Sequence, residues 1–153
     1  MKLSLYLVLA ATVLTPPAWA QDGNGDATRG EKEFRKCKAC HMIRSPDGAD
    51  LVKGGKMGPN LYAILGRKAG TAEGFRYSDA LRRLGEAGEV WTAEELARYV
   101  TDPNAYVEEK LDDPAIKTRM TFKLARNQTD LVAFLAQHPP PAETPAPQVP
   151  ASD

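Results

Sequence analysis

From position 26 onward, apolar residues recur every three or four positions in short runs broken by Gly and Pro, with no convincing strand alternation. The pattern predicts a series of short amphipathic helices. The first begins near Asp26 or Thr28, where Thr28 and Glu31 are spaced as a capping box, and its apolar side runs Ala27, Gly30, Phe34, Cys37 and His41. Asn60 to Leu65 reads as a short helix stopped by Gly66. Ser78 caps another that carries Leu81 and Leu84. Thr92 with Glu95 caps the next, which holds Leu96, Tyr99 and Val100 and ends before Pro103. The last opens at Asn127 or Thr129, places Leu131, Phe134 and Leu135 on one face, and is closed by Pro139. The class expected is all-α.

Both ends depart from this pattern. Behind the basic start Met1-Lys2, Leu3 to Leu14 is an almost unbroken apolar run, followed by the small-x-small sequence Ala18-Trp19-Ala20. The run is shorter than the ~20 residues a spanning helix needs. Residues 1–20 are therefore expected to be a secretory signal peptide cleaved after Ala20, leaving a chain that is exported and not membrane-spanning. Residues 139–153 hold six of the twelve prolines and little to bury, so a disordered Pro-rich tail is expected. Residues 21–138 then form one small domain, of a size that benefits from a covalent or cofactor staple.

Charge refines the picture only through its distribution. The 153 residues balance 20 Lys and Arg against 20 Asp and Glu, which argues against general nucleic-acid binding. Eight basic residues between Arg35 and Lys68 face only Asp47 and Asp50, whereas Glu86 to Asp113 holds nine acids against Arg98 and Lys110. Ordinary solvated surface accounts for much of this unless the basic segments converge in space.

The chemistry concentrates in Cys37-Lys38-Ala39-Cys40-His41, which contains both cysteines of the chain. On a helix, positions i, i+3 and i+4 share a face. Two thiols could then grip one edge of a porphyrin while the imidazole reaches its iron, and C-x-x-C-H is an attachment signature for c-type heme. Three other readings compete. A thioredoxin-like redox pair sits beside a βαβ pattern, which this chain lacks. Zinc needs four ligands, and only His138, expected at the surface, could join these three. A structural disulfide would leave His41 without a role. A second axial ligand is less defined by spacing. Met42 follows His41 directly and would face away; Met57, in a Gly-rich loop, and Met120, late in the chain, each have packing as an alternative.

These residues, with Gly58-Pro-Asn-Leu-Tyr-Ala-Ile-Leu-Gly-Arg67, Gly74-Phe-Arg-Tyr77, Trp91 before an acidic helix and Thr118-Arg-Met120, resemble class I cytochrome c over about Asp26 to Gln137. The likeness is greatest to the large bacterial cytochrome c2 group. The resemblance implies a small single-domain cytochrome c fold of short helices around one covalently bound heme c, attached through Cys37 and Cys40, with His41 and Met120 as axial ligands to the iron. It implies further that the Pro59 carbonyl holds the far nitrogen of His41. Arg67, Tyr77 and Trp91 would neutralise or hydrogen-bond a heme propionate, with Thr118 near the same groups, and Tyr99 would place its hydroxyl against the methionine sulfur. Gly30 and Phe34 would cross the last helix at Leu131 and Phe134.

The function implied is a periplasmic one-electron carrier, not an enzyme, that shuttles between a quinol-oxidising cytochrome bc complex and a terminal oxidase or photosynthetic reaction centre. Two alternatives remain: the electron-acceptor cytochrome of a periplasmic dehydrogenase, and a heme peroxidase or ligand-binding protein. A monomer is expected. Lys36, Lys38, Lys56, Arg119 and Lys123 are expected to ring an exposed heme edge and dock membrane redox complexes transiently, with the acids of Glu86–Asp113 mostly elsewhere.

Overall fold

A computed structural model describes residues 25–140. Along these residues run α1 (Ala27–Phe34), β1 (Ile43–Arg44), β2 (Asp50–Val52), α2 (Asp79–Glu86), α3 (Ala93–Thr101), α4 (Pro103–Leu111) and α5 (Gln128–Leu135). The expected signal peptide and residues 141–153 of the expected tail lie outside the described residues.

The helix starts follow from capping. Ser78 accepts from the Leu81 N–H and Thr92 from the Glu95 N–H, as the sequence predicts. At α1 the cap is Asp26 rather than Thr28: its carboxylate takes the N–H groups of both Thr28 and Arg29. An Asp in extended backbone reaches the free donors of the first turn directly, and no capping box at Thr28 is needed.

α1 packs across α5. A Cβ on Gly30 would lie 1.9 Å from the Asp130 carbonyl oxygen, so only glycine permits this crossing. Beside it the Phe34 and Phe134 rings meet at 5.3 Å. The Asp130 carboxylate is buried and accepts from Arg29 Nε at 2.8 Å and from the Asp26 N–H at 2.7 Å. The expected Gly30 and Phe34 contact with the last helix is thus realised, and an ion pair between exposed Arg29 and buried Asp130 ties the two helices together. α3 packs on both α5 and α4, and α2 on α4. Between α3 and α4, Trp91, Tyr99 and Tyr106 stack with centroids 4.9–5.9 Å apart.

Four expectations are corrected. Residues 60–65 form turns and not a helix: Ala63 is in the left-handed region at φ 51°, and the Asn60 side chain takes the Arg44 and Tyr62 N–H groups that a helix would redirect. The stretch 43–52, read without strands, is a two-stranded antiparallel hairpin pairing Ile43 with Val52, with a bulge at Ile43/Arg44 that spoils strict alternation. Pro103 opens α4 rather than only closing α3. Asp102 caps α4 by accepting from Ala105 N–H, and Pro103 sits in the first turn, where its missing N–H costs nothing. Finally, His138 is not a surface side chain. Its ring packs edge-on against Phe134 at 5.3 Å, its Nε2 is buried without a partner, and its carbonyl accepts from Ala63 N–H.

Candidate functional site

α1 ends at Phe34, yet the chain keeps coiling through tighter turns. Cys37 N–H and Lys38 N–H bond to the Phe34 carbonyl, and Cys40 N–H and His41 N–H bond to that of Cys37. The expected helical face is therefore delivered by a short run of turns. Cys37, Cys40 and His41 all line one cavity of about 650 Å³, within the range of pockets that enclose a sizeable organic ligand.

Both cysteines are free thiols. Burial pushes the Cys37 thiol up to about 11, with Glu33 adding to the rise. A redox thiolate of the thioredoxin type needs the opposite shift. His41 Nδ1 lies 2.9 Å from the Pro59 carbonyl oxygen. A carbonyl only accepts, so the proton sits on Nδ1 and Nε2 keeps its lone pair. Burial lowers the His41 pKa, opposed by that hydrogen bond, and so favours the neutral ring. The Gly58 backbone presses on the ring: a Cβ there would fall 2.3 Å from Cε1. Gly58 had no assigned role in the sequence. Its only signal in the sequence was adjacency to Pro59.

Other walls of the cavity are formed by Tyr77, Trp91, Tyr99, Thr118 and Met120, with Pro59 beside His41. Tyr99 does not reach the methionine sulfur by a hydrogen bond of its own. Its hydroxyl pairs with Thr118 Oγ1 at 3.3 Å, and the same oxygen accepts the Met120 N–H at 3.3 Å. Burial raises the Tyr99 pKa to about 12, so it remains a neutral phenol. The Tyr77 hydroxyl accepts from Ala72 N–H.

Arg67 stands behind the wall rather than in it. Its guanidinium donates to the carbonyls of Asn60 at 2.9 Å and Tyr62 at 3.3 Å. Asn60, missed in the sequence, also donates to the Arg44 carbonyl at 2.7 Å. Together they brace the loop that presents Pro59. Met57 lies on the cavity rim, 77% exposed.

Among the described residues no three His, Cys, Asp or Glu side chains converge as a group that could hold a bare metal ion, Cys37, Cys40 and His41 included. Nor is any helix of these residues long and apolar enough to cross a membrane.

The expected docking cations divide. Lys36 and Arg119 line the cavity mouth. Lys36 pairs with Glu33 and Lys123 with Asp102, so an acid from the Glu86–Asp113 segment does reach the distal loop, contrary to the expected separation. Arg119 donates to the Arg76 carbonyl. Lys38 and Lys56 are exposed and enter no ion pair among the described residues.

No protein-family model matches the chain. Individual relatives decide the matter. Cytochrome c-550 of Paracoccus versutus is 56% identical over 144 residues, covering 93% of this chain and 92% of that protein. The chain belongs to the class I cytochromes c of the c2/c-550 group. Cytochrome c2 of Rhodobacter capsulatus is 53% identical over 89% of this chain and 97% of its own length. The structure of ferric cytochrome c-550 from Paracoccus versutus superposes with a TM-score of 0.74 at 58% identity, covering 76% of this chain and 99% of that one. That of Rhodobacter capsulatus cytochrome c2 does so at 0.72 and 55%, covering 73% and 97%. Cytochromes of this group are electron carriers that hold heme c, with its iron, covalently. The donor set here fits that group: two free thiols, an imidazole with Nδ1 committed and Nε2 available, and a thioether, all on one mainly apolar cavity.

Proposed function

We propose that this cytochrome is a periplasmic one-electron carrier that accepts electrons from a quinol-oxidising cytochrome bc complex and passes them to a terminal oxidase or a photosynthetic reaction centre. In this reading Cys37 and Cys40 hold the heme, and His41 and Met120 are the axial ligands. Heme iron with His/Met ligation cycles between two oxidation states at a raised potential and leaves no open coordination position. The observation that carries the reading is the His41–Pro59 hydrogen bond at 2.9 Å in a cavity that Met120 also lines. A held tautomer and a fixed ring plane are what a permanent ligand requires.

The remaining residues support it by what they do to charge and water. Trp91 and Tyr99 fill the wall with apolar surface. Arg67 and Tyr77 sit within Coulomb range of each other, and burial lowers the pKa of the first and raises that of the second. The Arg67 guanidinium keeps its charge despite that shift and sets a positive charge behind the wall, where an anionic edge of the cofactor would need one. Lys38 and Lys56, free of internal partners, are the cations most available to an acidic docking surface.

Domain limits of 1–20, 21–138 and 139–153, with cleavage after Ala20, complete the proposal. The deciding experiment is stopped-flow oxidation of the reduced protein by membranes carrying each candidate complex. Rapid, saturable oxidation supports the carrier role. Oxidation only by peroxide, or reduction only by a co-purifying dehydrogenase, would favour one of the alternatives.

A further inference from the structure

The segment that carries Met120 is short of secondary structure, since residues 112–127 form only turns and extended chain. Four of its ties run to the α3–α4 unit, beside others such as the Arg119 bond to the Arg76 carbonyl and the Arg83–Asp113 pair. Lys117 pairs with Glu108, Thr118 N–H donates to Asn104 Oδ1 at 3.0 Å, Lys123 pairs with Asp102, and Leu124 N–H donates to the Val100 carbonyl at 2.8 Å. Three of the four come from α4 or its cap, an element to which the sequence pattern assigned no helix.

These holds differ in kind. The two ion pairs are on the surface, with lysine side chains more than half exposed, and such pairs contribute little individually. The Asn104 bond acts on Thr118, which is buried at 8% exposure, and Thr118 Oγ1 in turn takes the Met120 N–H and faces the Tyr99 hydroxyl. Asn104 is therefore the α4 side chain linked most directly to the backbone of Met120. Its own position is well determined. It follows buried Pro103 in the first turn of α4, whose N-terminus Asp102 caps. Because the partner is an N–H, the asparagine oxygen must be the atom presented, so an acceptor at this site is the chemical requirement.

We infer that Asn104 is a positioning residue for the distal ligand: through Thr118 it fixes the backbone of Met120 and so holds the thioether in place against competing ligands. The inference rests on Met120 being an axial ligand. One net hydrogen bond of ordinary strength corresponds to about a tenfold change in a binding equilibrium.

The test is titration of the oxidised holoprotein with imidazole, which competes for the sixth position, followed by loss of the methionine-to-iron absorption band. Asn104→Leu, which keeps the volume and removes the acceptor, is expected to bind imidazole about tenfold more tightly than wild type. Asn104→Asp, which keeps an acceptor, should stay within about twofold. Glu108→Gln, which removes a surface hold, should also stay near wild type while its thermal midpoint is recorded as a stability control. Unchanged affinity in Asn104→Leu would overturn the inference, as would equal tightening in Asn104→Asp or Glu108→Gln. Met120→Ala separates the two levels: if the band survives there, the ligand assignment itself has failed, whatever Asn104 does.

Discussion

His41 Nδ1 and the Pro59 carbonyl oxygen meet at 2.9 Å across eighteen residues of chain. That bond joins the cysteine turn to the loop behind it, and Gly58 is the residue that lets the two come close. A Cβ at position 58 would stand 2.3 Å from the imidazole, so Gly58→Ala must displace the ring or the loop. The expected cost is that of overpacking, about 1–3 kcal/mol. Guanidinium unfolding of the heme-loaded protein measures it, and an unchanged midpoint would show that the loop gives way freely.

The two candidate methionines separate by substitution. Met120→Ala is expected to abolish the methionine charge-transfer band at the red end of the spectrum and lower the reduction potential, with heme still covalently attached. Met57, 77% exposed on the cavity rim, should change neither when replaced by Ala. Loss of the band in Met57→Ala instead would move the ligand to the proximal loop.

Docking should distinguish free from committed cations. Lys38→Gln and Lys123→Gln each remove one charge from the long-range field, so both should reduce the association rate similarly and only at low salt. The lifetime of the complex with the oxidising membrane complex should fall mainly in Lys38→Gln, because Lys123 already spends its ammonium on Asp102. Kinetics across a salt series read both. Equal lifetimes would mean that Lys38 makes no contact pair.

Asp130 links folding to acid. Its carboxylate pKa is lowered first by the Arg29 hydrogen bond and then by the Asp26 N–H. A carboxyl depressed in the fold contributes stability above its unfolded value of about 3.9, and that contribution is lost as pH falls through the lower folded value. Asp130→Asn should therefore lower the thermal midpoint at pH 7 and show a smaller further loss between about pH 4 and pH 2 than wild type. Parallel pH curves for the two proteins would deny the linkage.

The C-terminal boundary can be placed by truncation. Removing residues 141–153 is expected to leave the melting temperature and spectrum unchanged. Ending the chain before His138 should lower the melting temperature, because Ala63 N–H loses its acceptor and Phe134 its edge-on neighbour. A marked drop on removing residues 141–153 alone would extend the domain into the proline-rich segment.

Much of this protein was legible before any fold was known. The Cys37–His41 spacing and the Ser78 and Thr92 caps are local chemistry, and they appear in the structure where the residues imply. The crossing of Gly30 and Phe34 with the last helix, implied by the resemblance, is found at Asp130 and Phe134. The resemblance added Pro59 as a partner of His41, and the pair is found at hydrogen-bond distance.

What the sequence could not decide depends on which backbone groups find partners from distant segments. Residues 60–65 have helical composition, yet Asn60 bonds to Arg44 and Ala63 turns left-handed, because the loop must present Pro59 to His41. Asp102-Pro103 reads equally as a stop for α3 or a start for α4, and burial of Tyr106 and Val107 settles it as both. Lys123 looks like any docking cation until Asp102, twenty-one residues earlier, lies against it. Sequence by itself determined the residues whose chemistry is complete within one or two turns of chain. Only the tertiary structure decided the rest, because a hydrogen bond or ion pair between distant segments has no periodicity to announce it and exists only once the core has brought its two ends together.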